Sequence, residues 1–230
     1  MKNLLFLVLV APFISVTAGA QAKETVAILG DSYSAYEGYL TPENNTIWYF
    51  KKIDLNRTDV TDVKQMWWWQ VVKEGGYKLG VNNSFSGSTI CYTGYDDEDY
   101  SARSFVNRVN NLGTPDIILI FGATNDSWAG VPLGEFKYEN IKRADLYTFR
   151  PAVATILAEA QNRYPNARLL YIINSELSEG VTSSIKTICD HYGVQYLQLQ
   201  NVDKQNGHPN IKGMKSIAKQ VLKALKSGKS

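Results

Sequence analysis

Five short runs that read as strands alternate along the chain with segments whose apolar residues recur every three to four positions, and each run gives way to polar residues, small ones after the first three. The runs are Thr25 to Leu29, Lys78 to Asn82, Asp116 to Phe121, Arg168 to Ile173 and Val194 to Leu199. Between them, helices are predicted from Met66 to a stop at Gly75-Gly76, through Phe105, Val106, Val109 and Leu112, and through Phe149, Val153, Ile156, Leu157 and Ala160 with Pro151 in the first turn. A fourth helix buries Val181, Ile185, Ile188 and Cys189. The last, capped by Asn210, buries Ile211, Met214, Ile217, Ala218, Val221, Leu222 and Leu225. Lys212, Lys215, Lys219 and Lys223 lie opposite, as a solvated face or, alternatively, a contact with an anionic surface. Strict alternation predicts an α/β fold, a five-stranded parallel sheet covered on both faces in three α/β/α layers. All five strand ends then share one edge.

Two stretches depart from the alternation. Residues 33–65 form a polar connection studded with Tyr36, Tyr39, Trp48, Tyr49 and Phe50, readable as a substrate lid or a packed surface excursion. In Trp67-Trp68-Trp69, Met66, Trp69 and Val72 share a core face, which leaves Trp67 or Trp68 to pack under the preceding loop or to stack on a sugar.

Composition narrows the picture. Lys2, an apolar stretch from Leu4 to Val16 and Ala18-Gly19-Ala20 predict a secretory leader over residues 1–20, followed by one domain over 24–226. Pro12 and the shortness of that stretch argue against stable membrane insertion, and no cysteine follows to carry a lipid anchor, so an exported, soluble periplasmic or extracellular protein is expected. The formal charge of +2 loses one unit with Lys2, far too little for nucleic-acid binding. Cys91 and Cys189 are expected to be separate buried thiols, with pairing the alternative. His191 and His208 offer no metal-ligand spacing, so neither metal nor cofactor is expected. The first strand also lacks the glycine pattern of dinucleotide sites and the lysine of phosphate loops. The oligomeric state is left open.

Acyl transfer at a serine needs a nucleophile, a base and oxyanion donors, and the common edge supplies candidates for each. Ser32, after Gly30 and Asp31, stands where a nucleophile would. His208 occupies a strand-end loop and precedes Pro209, whereas His191 falls near a helix end. The backbone N–H groups of Ser32 and Gly87 and the side-chain amide of Asn125 are candidate oxyanion donors. Gly30-Asp31-Ser32, Gly87, Gly122-x-x-Asn125-Asp126 and Gly207-His208-Pro209-Asn210 together resemble the blocks of the SGNH, or GDSL-type, hydrolase family, from about Val26 to Asn210. The resemblance implies a flavodoxin-like three-layer fold, esterase or deacetylase activity, Ser32 as nucleophile, His208 as base, and Ser32, Gly87 and Asn125 as the oxyanion hole.

One position departs from the family pattern: Gln205 stands where an aspartate three residues before the histidine is usual. Asp203 is favoured as the third member, with Glu176, Gln205 itself or a backbone carbonyl as alternatives. The reading is an exported serine esterase for short acyl esters, acting on a small-molecule or glycan ester and most simply a carbohydrate O-acetyl esterase. The alternatives are a lipase or thioesterase of the same fold, and a catalytically weak glycan-binding protein.

Overall fold

Aliphatic and β-branched side chains suit strands buried on both faces, and in the computed structural model, which describes residues 22–228, they build one five-stranded, all-parallel sheet in the order β2-β1-β3-β4-β5. The strands are β1 (Thr25–Gly30), β2 (Lys78–Ser84), β3 (Ile117–Phe121), β4 (Arg168–Ile173) and β5 (Gln195–Gln198). The leader expected over residues 1–20 lies outside the described residues.

Alternation along the strands divides the core in two. Val26 and Ile28 of β1, Ile117 and Leu119 of β3 and Leu170 and Ile172 of β4 pack against α1 (Trp67–Glu74) and the last helix, α6 (Ile211–Ser227). Ala27, Leu29, Ile118, Ile120, Tyr171 and Ile173 face α2 (Phe105–Arg108), α4 (Phe149–Arg163) and α5 (Glu179–Tyr192). A short α3 (Thr124–Ala129) follows β3 at the sheet edge. The result is the three-layer α/β/α arrangement. Asn210 caps α6 by accepting from the Gly213 amide, and Lys212, Lys215, Lys219 and Lys223 are exposed on the opposite side. Cys91 and Cys189 are buried, free thiols.

Two elements differ from the pattern that spacing predicts. The helix predicted through Leu112 is a single turn, although Phe105, Val109 and Leu112 are still buried. In α1 it is Trp67 and Trp68, with Met66, that are fully buried, while Trp69 is partly exposed. The reason is local: α1 begins against the turn that follows β1, and that turn offers acceptors to both indoles. Trp67 Nε1 donates to the Tyr33 carbonyl and the Ser34 hydroxyl, each at 3.2 Å, and Trp68 Nε1 donates to the Ser34 carbonyl at 3.0 Å. Hydrogen-bonding needs thus rotate the stripe away from the face that apolar spacing alone selects.

At the carboxyl edge the strands end level, with Gly30 in register with Ser84 on one side and Phe121 on the other. A Cβ on Gly30 would stand 2.5 Å from Ser84 Oγ and 2.9 Å from Ser34, so only glycine lets β1 enter its turn there. The backbone carbonyls exposed where the strands part are gathered by one buried side chain, Arg108. Its guanidinium donates to the carbonyls of Asn83, Gly30 (3.2 Å) and Arg103 (2.9 Å) and to Ser88 Oγ (2.9 Å). Burial pushes the guanidinium down to about 9, opposed by the attraction of Asp31. Arg108→Met keeps the volume and deletes these donors, leaving several carbonyls unsatisfied. Unfolding in urea is expected to show a loss of roughly 3 kcal/mol, and a loss below about 1 kcal/mol would show that water replaces the guanidinium at little cost.

Candidate active site

The turn after β1 is shaped by Asp31, whose carboxylate accepts from the Tyr33 amide at 2.9 Å and so caps a 3-10 turn over Ser32–Ser34. Ser32 projects from this turn at the carboxyl edge, where open parallel sheets gather their ligands. Its Oγ lies 2.9 Å from His208 Nε2.

His208 sits on a small antiparallel hairpin, β6 (Lys204–Gln205) and β7 (His208–Pro209). The two residues between them, Asn206 and Gly207, have φ of 49° and 74°, the left-handed pair that an Asn-Gly turn favours. The Asn206-Gly207 dipeptide is a hairpin signal that strand and helix periodicity does not carry. The hairpin is clamped on both sides of the imidazole. Tyr33 Oη donates to the Gly207 carbonyl at 2.6 Å, and Tyr49 Oη to the Pro209 carbonyl at 2.8 Å. Asn206 Nδ2 donates to the carbonyls of Asn56 (2.7 Å) and Arg57 (3.1 Å). The aromatic connection over residues 33–65 is therefore packed against the histidine hairpin.

The second ring nitrogen, Nδ1, lies 3.0 Å from the Asn206 carbonyl. A carbonyl only accepts, so Nδ1 carries the proton and Nε2 turns its lone pair toward the Ser32 hydroxyl. This is the tautomer a general base requires. The carboxylate favoured from the sequence does not hold the ring: Asp203 pairs with Lys212 Nζ at 2.6 Å, because its backbone lies against the first turn of α6. Glu176 pairs with Lys204 Nζ at 2.5 Å, and Gln205 turns its amide outward to the Leu55 carbonyl at 2.9 Å. Of the alternatives weighed, the backbone carbonyl is the group in contact.

The candidate oxyanion donors lie beyond the ends of β1, β2 and β3. Gly87 has φ of 79°, reserved for glycine by conformation, since nothing lies within 4 Å of where its Cβ would be. Among the described residues neither the Gly87 nor the Ser32 amide has an acceptor. Asn125 is held at both ends, its Nδ2 donating to the Ser88 carbonyl at 2.9 Å and its Oδ1 accepting from Tyr95 Oη at 2.9 Å. Tyr95 thereby decides which end of the amide is the donor, and one Nδ2 hydrogen stays uncommitted. Ala123, just ahead, takes the left-handed φ of 78°, which costs an alanine roughly 1–2 kcal/mol, and starts α3 so that Asn125 faces the Ser88 loop. Asp126 secures that loop from beneath, accepting from Ile90 N at 2.9 and 3.0 Å and from Cys91 N at 3.3 Å. Tyr33, Tyr95 and Arg108 are neighbours of the site that spacing gave no means of selecting, whereas Tyr49 belongs to the aromatic connection read as a lid or a packed excursion.

Burial dominates the electrostatics. Desolvation pushes Asp31 and Asp126 each up to about 7, against the lowering effect of the backbone amides they accept from. Desolvation also pushes His208 down to about 4; the Asn206 carbonyl works against this, and the positive charges of Arg57 and Lys204 add to it. An imidazole with that environment is neutral, and so able to take a proton, well below the usual histidine range.

A family model described as GDSL-like Lipase/Acylhydrolase matches residues 24–225. A crystal structure of a candidate GDSL-like lipase from Bacteroides ovatus is 52% identical, covers 90% of this chain and 100% of its own, and superposes with a TM-score of 0.88. Another from Bacteroides uniformis is 50% identical, with 90% and 97% covered and a TM-score of 0.87. An acetyl xylan esterase from Butyrivibrio proteoclasticus shares the fold at 16% identity, with 91% of this chain and 64% of its own covered and a TM-score of 0.57. No curated protein matches the chain.

Only two histidines are present, so the ring can be followed by NMR with His191 as its companion signal. His208 is expected to titrate near 4 and to carry its neutral-form proton on Nδ1. Because the folded value is depressed below an ordinary 6.5, its contribution to stability is complete above about pH 6.5 and is lost as the pH falls through about 4. Asp203→Asn and Glu176→Gln should leave the midpoint in place; a strong shift from either would return that carboxylate to the ring.

Proposed function

The chain belongs to the GDSL-like lipase/acylhydrolase family and is a serine hydrolase of ester bonds; within that class we propose that it removes short acyl groups, most simply acetate from carbohydrate, with Ser32 and His208 as a catalytic dyad. The observation that carries this reading is the 2.9 Å contact between Ser32 Oγ and His208 Nε2, made in the tautomer that leaves Nε2 free to accept. In the first step the Ser32 oxygen bonds to the ester carbonyl carbon as its proton passes to Nε2. The negative charge that develops on the carbonyl oxygen is met by the Ser32 and Gly87 amides and the uncommitted hydrogen of Asn125 Nδ2. Collapse breaks the ester C–O bond, and Nε2–H returns its proton to the departing alcohol. Water then repeats the sequence on the acyl-serine, releasing the acid and restoring Ser32.

In this proposal the Asn206 carbonyl does what a carboxylate does in a full triad, orienting the ring and accepting from Nδ1–H. It does so without a formal charge. The imidazolium formed in the first step is therefore less stabilised, which suits an activity that extends into acid. Support for a glycan ester comes from Trp128, 47% exposed and with its ring 6.1 Å from the imidazole, a flat apolar surface beside the reacting groups of the kind pyranose rings stack on. The acetyl xylan esterase neighbour agrees with that substrate class. The leader read over residues 1–20 adds export to the proposal.

With p-nitrophenyl acetate, Ser32→Ala is expected to lose at least about 10³ in rate, and Asn125→Ala about 10²–10³ in kcat, both without loss of folding. The kcat/KM profile should hold its level down to about pH 5 and fall toward 4 as His208 takes a proton. Acetate esters should be cleaved faster than octanoate esters, and acetylated xylan should release acetate. A wild-type protein with no Ser32-dependent hydrolysis would sink the dyad, whereas a preference for octanoate would select the lipase reading instead.

A further inference from the structure

A ring held at one nitrogen by its own loop still needs its plane fixed, and the structure supplies a plane. Trp48 stacks on His208 with ring centroids 3.5 Å apart and an interplanar angle of 7°. The guanidinium carbon of Arg57 lies 3.8 Å from the centroid of the same indole. Two groups this close to one centroid cannot share a face without overlapping, so the indole is sandwiched, imidazole on one side and guanidinium on the other. The other rings near His208 meet it edge-on and farther away, Tyr33 at 5.3 Å and 62°, Trp128 at 6.1 Å and 69°.

The sandwich is anchored at both ends of the reacting pair. The backbone N–H of Trp48 donates to the Ala35 carbonyl at 3.2 Å, and Ala35 closes the turn that carries Ser32. The Arg57 carbonyl accepts from Asn206 Nδ2 in the histidine hairpin. Neither Trp48 Nε1 nor Arg57 Nε has a hydrogen-bond partner although both atoms are buried. What these side chains offer here is their faces.

We infer that Trp48, backed by Arg57, is a positioning group that acts beside the Asn206 carbonyl, holding the His208 ring in the plane that aims Nε2 at Ser32. The inference rests on His208 acting as the base. Its chemistry differs from that of a carboxylate in one respect. A carboxylate orients the ring and favours its charged form together, whereas the indole orients the ring while excluding water, and the guanidinium behind it repels an imidazolium. The other charged or titratable groups packed round the ring do not reverse this. Lys204 on β6 is positive and shared with Glu176, and Tyr33 donates its hydroxyl proton to Gly207. The hydrogen bond to Nδ1 and the fixing of the ring plane, combined in one carboxylate of a full triad, are here divided between the Asn206 carbonyl and the Trp48 indole.

The test pairs kinetics with the NMR titration of His208 on the full chain. Trp48→Ala should lower kcat for p-nitrophenyl acetate at least tenfold while KM changes less than threefold, and should move the His208 midpoint from about 4 up toward its ordinary 6.5 as water reaches the ring. Trp48→Phe keeps a stacking face and should recover most of the loss. Arg57→Gln removes the repelling charge and should raise the midpoint by less than Trp48→Ala does. Should Trp48→Ala fail to fold, Trp48→Met, which keeps a bulky apolar side chain without the π face, is read against the same expectations. A midpoint and kcat that both stay at wild-type values would overturn the inference, as would a change confined to KM, which would make Trp48 a surface for substrate. The titration is readable without turnover, so a chain lacking Ser32-dependent hydrolysis would refute the esterase dyad and still report on the stack.

Discussion

The hydrogen bond between His208 Nδ1 and the Asn206 carbonyl, 3.0 Å long, fixes the tautomer on which the candidate site depends. It joins an imidazole to a peptide carbonyl only two residues away, so the bond is only as well placed as the turn containing both. That turn is secured from several directions: Asn-Gly geometry sets its hand, Tyr33 and Tyr49 clamp the carbonyls on either side of the ring, and Asn206 bonds to the chain around residue 56. A neutral acceptor also avoids burying another carboxylate beside two that are already desolvated. The long aromatic connection is explained by the same constraint, since it supplies Tyr49, Trp48 and the carbonyls that hold the hairpin.

Beneath the Ser32 turn, a layer of buried polar groups settles the backbone at the ends of the strands. Arg108 collects carbonyls, Asp31 caps the turn, and Asp126 gathers the amides that follow the Gly87-Ser88 segment. Asp31 and Asp126 are raised toward neutrality by burial, so their contribution to stability is complete below the ordinary carboxylate value and is lost as the pH rises through about 7. His208 changes in the opposite sense, losing its contribution as the pH falls. The edge is therefore built from groups that resist charging, a condition in which hydrogen bonds are strong and each unmade one is costly.

Much of this was legible in one dimension. Strand runs closing on polar residues located the sheet, its parallel sense and the shared edge, because an apolar run of five or six residues has few other ways to bury both faces. The blocks containing Ser32, Gly87, Asn125 and His208 were legible for the same reason, since topology alone brings strand ends together. The orientation of the tryptophans was not, because Trp67 and Trp68 answer to the carbonyls of Tyr33 and Ser34, more than thirty residues away. Nor was the partner of His208, because a backbone carbonyl has no letter in a sequence and the nearby Asp203 is drawn off by Lys212.

The sequence by itself determined the layered fold, the edge at which Ser32 and His208 meet, and the absence of an aspartate at position 205. Tertiary structure decided what surrounds the His208 ring in its absence: the Asn206 carbonyl on one nitrogen and the Trp48 indole across the ring. The physical reason is that strand and helix patterns are periodic and local, whereas hydrogen-bond acceptors and ring faces act wherever the folded chain brings them within about 4 Å.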